Sequence, residues 1–382
     1  MPAMLPVPSH SAPRLAEVLH SSIASLRGEA NEFELPAASG AVVVLVDGLG
    51  AANIQARAGH ARFLASRMPR RDVIRTVVPS TTAAAIASFT TGRMPGEHGL
   101  VGYRSLDAAH DRVVNQLNGW DEGMLPETWQ RAETLFDAAR TLGIPSFAIG
   151  AARYANSGFT RAVLRGAEYR PGASIADRFA AARDVLDETS GALVYLYVPE
   201  LDQAAHAHGW ESDRWLTILE HLDAEVAAFE RRMPRGAGLL VTADHGVIDV
   251  PAHRHVFIDD RPDLLEGIRH VGGEPRFLSL YFEPGLDEAA RGGLVDRWHA
   301  AEGHRAWVLA RDEAIDAGVY GRVADEVRPR IGDILVAARA GIAYYDRREA
   351  NRQAEAMIGQ HGSLSDEETR VPLIRGGAYS RT

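Results

Sequence analysis

The chain has 382 residues, 46% of them hydrophobic, which is enough for one large domain with an insertion or for two domains. A formal net charge of −10 without a basic block makes nucleic acid an unexpected partner. Cysteine is absent, so disulfides, thiolate metal sites and a cysteine nucleophile are excluded. The sequence shows no secretory signal and no apolar run of the roughly 20 residues that a membrane helix needs, so we expect a cytoplasmic protein without a membrane partner.

The first elements alternate between helix and strand. Residues 13–26 have the spacing of an amphipathic helix, and residues 41–47 form an apolar run that ends in an acid, Asp47. An uninterrupted apolar run is typical of a strand that is buried on both faces of a parallel sheet. Sites in such sheets lie at the carboxyl ends of the strands. Asp47 is therefore placed where chemistry is expected.

Three hydroxyl residues lie where a predicted strand at 73–78 ends and a predicted helix over 83–90 begins. Pro79 stops the strand because it cannot donate a ladder hydrogen bond. The hydroxyl residues are Ser80, Thr81 and Thr82. Free backbone N–H groups and the helix dipole attract an anion to such a position. Each hydroxyl is either a cap of the helix, which Gly92 is expected to end, or a nucleophile.

Helix and strand patterns continue to alternate to about residue 250, after a loop-rich stretch at 93–130. This order predicts an α/β fold with a mainly parallel central sheet. The alternation of strand and helix then ends, and strands are predicted near 277–282, 306–310 and 334–337 between two helical stretches. We therefore predict a catalytic core formed by residues 1–265 and 350–382. Residues 266–349 are predicted to form a smaller inserted or accessory α+β lobe.

Acids and imidazoles recur where apolar runs end, and a late histidine precedes a glycine. The candidates are Asp47, Asp202, His206, Asp244, His245 and His361. The four-residue spacing of Asp202 and His206 places both on one helical face. Taken singly, each candidate has a structural alternative, namely a helix cap, a turn or a surface pair. Together they supply three ligands to each of two divalent ions, with zinc the most suitable and manganese or iron as alternatives.

In these motifs the chain resembles the alkaline phosphatase superfamily, and within it the type I phosphodiesterase / nucleotide pyrophosphatase family. The resemblance covers residues 41–255 and 355–375. It rests on Val-Asp47-Gly, Pro79-Ser-Thr-Thr82 with Thr91-Gly92 downstream, Pro95-Gly-Glu-His98-Gly99, Asp202-x3-His206, Asp244-His245-Gly246 and His361-Gly362. It implies a sandwich of helices around the central sheet, and the hydrolysis of a small phosphoric ester such as a nucleotide.

The resemblance also implies a role for each matched residue. Thr82 matches the nucleophile, which would form a covalent phospho-threonine, whereas Ser80 or Thr81 would need a shifted alignment. One metal ion would be bound by Asp202, His206 and His361. The other would be bound by Asp47, Asp244 and His245. Thr82 would lie between the two metal ions and contact both.

Two departures from the family pattern leave the substrate open. The position of an asparagine that donates to phosphate is taken by Tyr103, and that of a second asparagine by Ala85. Tyr103 and the adjacent Arg104 are expected to bind substrate, although Tyr103 would equally well pack under its loop. A phosphomonoesterase, a phosphonate hydrolase or a phosphomutase on the same scaffold is the alternative. A catalytically silent, metal-stabilised binding protein is a further one.

Overall fold

The computed structural model of the protein describes residues 5–6, 12–349 and 352–381. Strands and helices alternate along most of this length, as the sequence pattern predicts. The strands are β1 (Gly40–Val46), β2 (Val73–Arg75), β3 (Arg104–Asp107), β4 (Arg112–Asn115), β5 (Ser146–Gly150), β6 (Glu168–Pro171), β7 (Leu193–Val198), β8 (Ala237–Thr242), β9 (Ile248–Asp249), β10 (His255–Phe257), β11 (Ile268–Glu274), β12 (Phe277–Phe282), β13 (Ala306–Ala310), β14 (Ile334–Ala338), β15 (Ala343–Tyr345), β16 (Gly359–Gln360) and β17 (Arg370–Gly377). The helices are α1 (Ala16–Leu26), α2 (Ala51–Ala56), α3 (Arg62–Ser66), α4 (Thr82–Thr91), α5 (Pro95–His98), α6 (Pro126–Trp129), α7 (Leu135–Thr141), α8 (Gly158–Val163), α9 (Ile175–Glu188), α10 (Glu200–His208), α11 (Asp213–Arg232), α12 (Pro262–Leu265), α13 (Glu288–Glu302), α14 (Arg311–Asp316) and α15 (Asp366–Thr369).

The central sheet has seven strands in the order β2-β17-β8-β1-β7-β5-β6. The five strands from β8 to β6 are parallel to one another, whereas β17 is antiparallel to both β8 and β2. Every residue of β1 and β8 is buried, as expected for strands that are covered on both faces. The predicted α/β fold with a mainly parallel central sheet is therefore confirmed.

Helix α4 is buried along its whole length. Four of its side chains are alanines, and this small surface lets it pack closely against α1 and α8. The helix ends at Gly92, whose φ of 65° is left-handed, so this residue has the conformation of the predicted C-cap. The strand before α4 is shorter than predicted. It ends at Arg75 because β2 pairs only with the first residues of β17, and the chain then leaves the sheet edge.

A second sheet contains four antiparallel strands in the order β11-β12-β14-β13. Apolar side chains of this sheet and of α13 form a core of their own around Leu280, Trp298 and Val336. Three of the four strands match predicted ones, and β11 is an addition. Strand β15 pairs with β10, so strand pairing crosses the predicted boundary near residue 265. The division into a core and a lobe stays a prediction.

A buried ion pair joins the second sheet to the central one. Arg276, which lies between β11 and β12, donates two hydrogen bonds of 2.7 Å to Glu368 on α15. Glu368 also accepts from the backbone N–H of Ser363 at 3.0 Å. The pair therefore ties the second sheet to the turn that carries His361.

No helix in the described part of the chain is both long and apolar enough to cross a membrane. The cytoplasmic location expected from the sequence stays a prediction. The predicted loop-rich stretch at 93–130 contains a hairpin of β3 and β4, and β3 packs against β11. This contact brings the hairpin and the second sheet together above the carboxyl edge of the central sheet.

Candidate functional site

The six predicted metal ligands lie at the carboxyl edge of the central sheet. Asp47 directly follows β1, and Asp244 and His245 follow β8. Helix α10, which follows β7, carries Asp202 and His206, and His361 follows β16. Neighbouring parallel strands end at the same edge, and the loops after them therefore converge.

The ligand atoms of two groups of three residues each lie within 4.8 Å of one another: Asp47, Asp244 and His245, and Asp202, His245 and His361. The first group has the predicted composition. In the second, His245 stands where His206 was predicted, so one imidazole belongs to both groups. His206 is nevertheless close, because its Nε2 lies 3.1 Å from Asp202 Oδ2.

Each of the three aspartates has one carboxylate oxygen that is buried and has no hydrogen-bond partner among the described residues. These atoms are Asp47 Oδ1, Asp202 Oδ1 and Asp244 Oδ2. A buried carboxylate oxygen without a donor is costly unless a cation compensates it. Three such oxygens in one cluster fit a binding site for divalent cations.

The three imidazoles have a common orientation. Each presents Nε2 to the cluster and Nδ1 to a backbone carbonyl oxygen. The pairs are His206 with Gly359 at 2.7 Å, His361 with Ser80 at 2.9 Å and His245 with Gly246 at 3.2 Å. A carbonyl oxygen only accepts, so the proton belongs on Nδ1 and the Nε2 lone pair is left for a metal ion. Histidines that bind metals usually have such a partner on the other nitrogen.

The pKa values in the cluster show how strongly its buried charges interact. Burial lowers the pKa of His245, but the carboxylates of Asp244 and Asp47 outweigh this effect and raise it to about 10. Burial and the charge of Asp47 raise the pKa of Asp244 well above its usual range. Burial and the neighbouring His245 hold the pKa of His361 well below its usual range. Divalent cations would relieve the repulsion between the carboxylates and displace protons from the imidazoles.

Only Thr82 of the three hydroxyl residues points to this cluster. Its Oγ1 lies 3.3 Å from His245 Nε2, and it is the first residue of α4. The Ser80 hydroxyl donates instead to the carbonyl oxygen of Ser363 at 2.8 Å. Thr81 is the N-cap residue, but its side chain accepts no capping hydrogen bond. The hydroxyl of Thr82 is thus placed for chemistry and does not cap the helix.

A cleft of about 410 Å³ opens above the cluster between the central sheet and the second one. Tyr103 and Arg104, the expected substrate-binding residues, both line it. The Arg104 guanidinium makes two hydrogen bonds of 2.7 Å to Glu349, so it is already paired with a carboxylate. The positive charge of Arg104 is therefore neutralised within the cleft wall.

Sequence reasoning missed two polar residues of the cleft. Tyr197 donates a hydrogen bond to Asp47 Oδ2, and Glu274 is buried at the end of β11. Tyr197 was overlooked because it lies inside an apolar run. The register of β1 and β7, which pairs Leu45 with Tyr197, would have placed it near Asp47 once the pairing was known. No sequence pattern pointed to Glu274, because the strand that carries it, β11, was not predicted.

The comparisons with known proteins agree with this geometry. A family model described as type I phosphodiesterase / nucleotide pyrophosphatase matches residues 41–364. No curated protein sequence matches the chain. Among solved structures, murine ectonucleotide pyrophosphatase / phosphodiesterase 5 is similar, with a TM-score of 0.67 and 16% identity over 88% of each chain.

Two further structures have the same fold. An inactive threonine-to-alanine variant of the murine protein, in complex with AMP, has a TM-score of 0.65 and 16% identity over 88% of each chain. Phosphonoacetate hydrolase from Sinorhizobium meliloti 1021, in complex with phosphonoformate, has a TM-score of 0.68 and 20% identity over 89% of this chain and 91% of that one. At such identities the likeness concerns the fold alone.

The family match spans most of the chain and includes every predicted metal ligand and Thr82. The fold of the structural neighbours confirms the expected alkaline-phosphatase-like architecture. The protein therefore belongs to the type I phosphodiesterase / nucleotide pyrophosphatase family.

Proposed function

We propose that the protein hydrolyses phosphoric esters of small molecules as a two-metal phosphodiesterase or nucleotide pyrophosphatase. The observation that carries this proposal is the convergence of three carboxylate oxygens, which no described residue partners, and three imidazole Nε2 atoms beside one threonine hydroxyl. A cluster kept only for folding would not need that hydroxyl. Membership of the family supports the same reaction class.

The metal ions are assigned to the six predicted ligands, with His245 close to both groups. When bound, zinc, or manganese or iron in its place, lowers the pKa of a coordinated oxygen and neutralises charge on the phosphoryl group. Thr82 supplies the nucleophilic oxygen. The free backbone N–H groups and the dipole of the ten-residue helix α4 add a positive environment for the phosphoryl oxygens.

The reaction then has two balanced steps. In the first, Thr82 Oγ1 gives its proton to water and forms a bond to phosphorus, while the bond from phosphorus to the leaving oxygen breaks with its electron pair. The leaving oxygen takes a proton from water. In the second step, the oxygen of a water molecule forms a bond to phosphorus, while the bond from phosphorus to Thr82 Oγ1 breaks with its electron pair. A proton released by this water restores the Thr82 hydroxyl, and the phosphoryl product leaves.

The ligands of two structural neighbours point to two different substrate classes. AMP bound to the murine neighbour is in keeping with a nucleotide, whereas phosphonoformate bound to the bacterial one is in keeping with a phosphonate. Tyr103 in place of the family's asparagine argues that the phosphate contacts of this chain differ from those of the nucleotide enzymes. A phosphomonoesterase or phosphonate hydrolase is therefore the second candidate. Rates with bis-p-nitrophenyl phosphate, p-nitrophenyl phosphate and phosphonoacetate separate them.

Substitution of the nucleophile tests the proposal. Thr82→Ala is expected to lose at least about a thousandfold in kcat while metal content is unchanged, because the bond-forming oxygen is gone. Thr90→Ala is the matched control, since Thr90 lies in the same buried helix. Its hydroxyl donates to backbone carbonyl oxygens of that helix, at 2.9 Å to Ile86 and at 3.4 Å to Ala87. Mass spectrometry of acid-quenched wild-type enzyme should locate a phosphoryl adduct on Thr82, which keeps the second ester group when the substrate is a diester.

Two results would contradict the proposal in different ways. Activity retained in Thr82→Ala would reject this residue as the nucleophile. Two bound metal ions per chain, with no hydrolysis of any ester in the panel, would instead favour the silent binding protein.

A further inference from the structure

The two oxygens of the Asp47 carboxylate have different surroundings. The Tyr197 hydroxyl donates a hydrogen bond to Oδ2. The other oxygen, Oδ1, is buried, has no hydrogen-bond partner in the described part of the chain and lies 3.3 Å from His245 Nε2. One oxygen is therefore held by a phenol, and the other faces the ligand cluster.

Several contacts fix the position of the Tyr197 side chain. Its ring stacks on that of Tyr195, with centroids 6.4 Å apart, and meets the ring of Tyr154 edge-on at 6.1 Å. Its backbone carbonyl accepts a hydrogen bond of 2.7 Å from Arg178, whose side chain is fully buried. The backbone N–H of Asp47 bonds to β7 at 2.9 Å. Backbone and side-chain contacts thus lock the phenol and the carboxylate together.

Such a contact has a physical consequence for cation binding. Either oxygen of a free carboxylate can bind a cation, and rotation about the Cβ–Cγ bond exchanges the two oxygens. A hydrogen-bond donor fixed on one oxygen opposes this rotation and keeps the other oxygen pointing in a single direction. Hydrogen-bond partners of this kind typically change metal affinity or activity by about 10- to 100-fold.

We propose that Tyr197 is a positioning residue, which holds Asp47 so that Oδ1 alone binds the cation shared with Asp244 and His245. The inference rests on the proposed function for the presence of the cation, and it is independent of which ester is hydrolysed. The ring of Tyr197 borders the cleft. Its role is assigned to the carboxylate and not to the substrate.

A pair of matched variants tests this role. Tyr197→Phe removes only the hydroxyl. Tyr195→Phe makes the same change two residues away, in the ring that stacks on Tyr197, and the Tyr195 hydroxyl has no hydrogen bond to any described residue. Each protein is stripped with a chelator and titrated with Zn²⁺ against a chromophoric chelator, and circular dichroism verifies folding. A third comparison adds Tyr197→Phe to Asp47→Ala.

We expect Tyr197→Phe to weaken Zn²⁺ binding at one site by about 10- to 100-fold. Tyr195→Phe should stay within about twofold of the wild type, since no ligand loses a partner. In the Asp47→Ala background, Tyr197→Phe should have no further effect on Zn²⁺ affinity. A general loss of packing would not produce this dependence on Asp47.

Three results would overturn the inference: unchanged Zn²⁺ affinity in Tyr197→Phe, an equal loss in Tyr195→Phe, or a raised KM for an ester with unchanged Zn²⁺ affinity. The last result would assign Tyr197 to the substrate. If Zn²⁺ affinity depends on Tyr197 as expected but no ester is hydrolysed, the inference stands and the proposed function fails.

Discussion

Two groups of buried charge lie on either side of the turn at residues 361–362. On one side, Glu368 is bonded twice by Arg276 and once by the backbone of Ser363, so its carboxylate is satisfied within the chain. On the other side, each aspartate of the candidate site keeps one buried oxygen that no described residue partners. The two groups share a turn but differ in how their charges are compensated.

This difference separates charge that builds the structure from charge that serves a ligand. A buried ion requires partners, and Glu368 obtains them from the protein. We expect the aspartates to obtain theirs from bound cations. Substitutions of Arg276 or Glu368 should therefore reduce the stability of the protein. Substitutions of the aspartates should remove metal and activity and leave the metal-free protein folded.

The largest effect is expected for Asp244→Ala. Loss of this proposed metal ligand should lower kcat/KM by at least about a thousandfold, beyond the 10- to 100-fold typical of residues that only contact a ligand. Asp244→Ala also removes the acceptor of the backbone N–H groups of Gly48 and His245, at 3.2 and 3.0 Å. We expect relief of the unfavourable interaction between Asp244 and Asp47 to offset this loss, so that the metal-free variant stays folded. Metal analysis and thermal melting of stripped protein measure both effects. Strong destabilisation of the stripped variant would instead mark Asp244 as a structural residue.

On the structural side, Arg276→Met should lower the free energy of unfolding by about 3–5 kcal/mol, since it leaves Glu368 buried without its counter-ion. Urea unfolding measures this change. The double variant Arg276→Met with Glu368→Met should recover much of the loss, because no charge then remains buried. Zn²⁺ affinity of the folded single variant should stay near that of the wild type. A stability loss below about 1 kcal/mol would show that the pair is not a structural anchor.

Glu274 lies between the two groups and offers a test through pH. Burial raises its pKa to about 8, although the Thr81 hydroxyl favours the ionised form. Between the ordinary value of 4.5 and about 8, the unfolded chain loses this proton and the folded protein keeps it. The free energy of unfolding should therefore fall as pH rises through this window, by up to about 1.4 kcal/mol per pH unit.

Glu274→Gln removes this titration, so metal-free Glu274→Gln should lose less stability than metal-free wild type from pH 5 to pH 8. Chemical unfolding at several pH values measures the two slopes. Parallel slopes for the two proteins would mean that Glu274 ionises normally in the folded state.

The smallest effect is expected at the outer end of the cleft. Glu349→Gln releases Arg104 from a partly exposed pair and should change stability by less than about 1 kcal/mol. If Arg104 contacts an anionic substrate, the freed guanidinium should lower KM by about threefold or less. Glu355→Gln is the matched control, because it frees Arg352 in the same cleft. Equal changes in KM for both variants would argue against a substrate contact of Arg104.

How far the sequence predicts the site depends on the kind of signal each residue leaves. Asp47 and Asp244 end apolar runs, and a parallel sheet places such ends at one edge, so their meeting could be predicted. The position of His245 between both ligand groups could not, because spacing along the chain does not say which imidazole lies between two acids. The contact of Tyr197 with Asp47 could not be predicted either, because an apolar run such as that of β7 indicates a core residue.

The second sheet shows the same limit at the level of the fold. Three of its strands have clear apolar patterns, whereas β11 contains two adjacent glycines, Gly272 and Gly273, and so lacks one. The pair of Arg276 and Glu368 joins residues 92 positions apart, and no local pattern links them. Long-range contacts of this kind become visible only when the strands are placed in space.

The place of β17 has a consequence for the order of synthesis. This strand follows His361 in the chain, yet it lies between β2 and β8, which are made long before it. Until β17 has left the ribosome, those two strands keep open edges, and open edges invite wrong pairing. A nascent chain that extends to residue 360 holds five of the six candidate ligands, but it lacks His361 and β17. The group of Asp202, His245 and His361 is therefore complete only near the end of synthesis, when β17 fills the gap between β2 and β8.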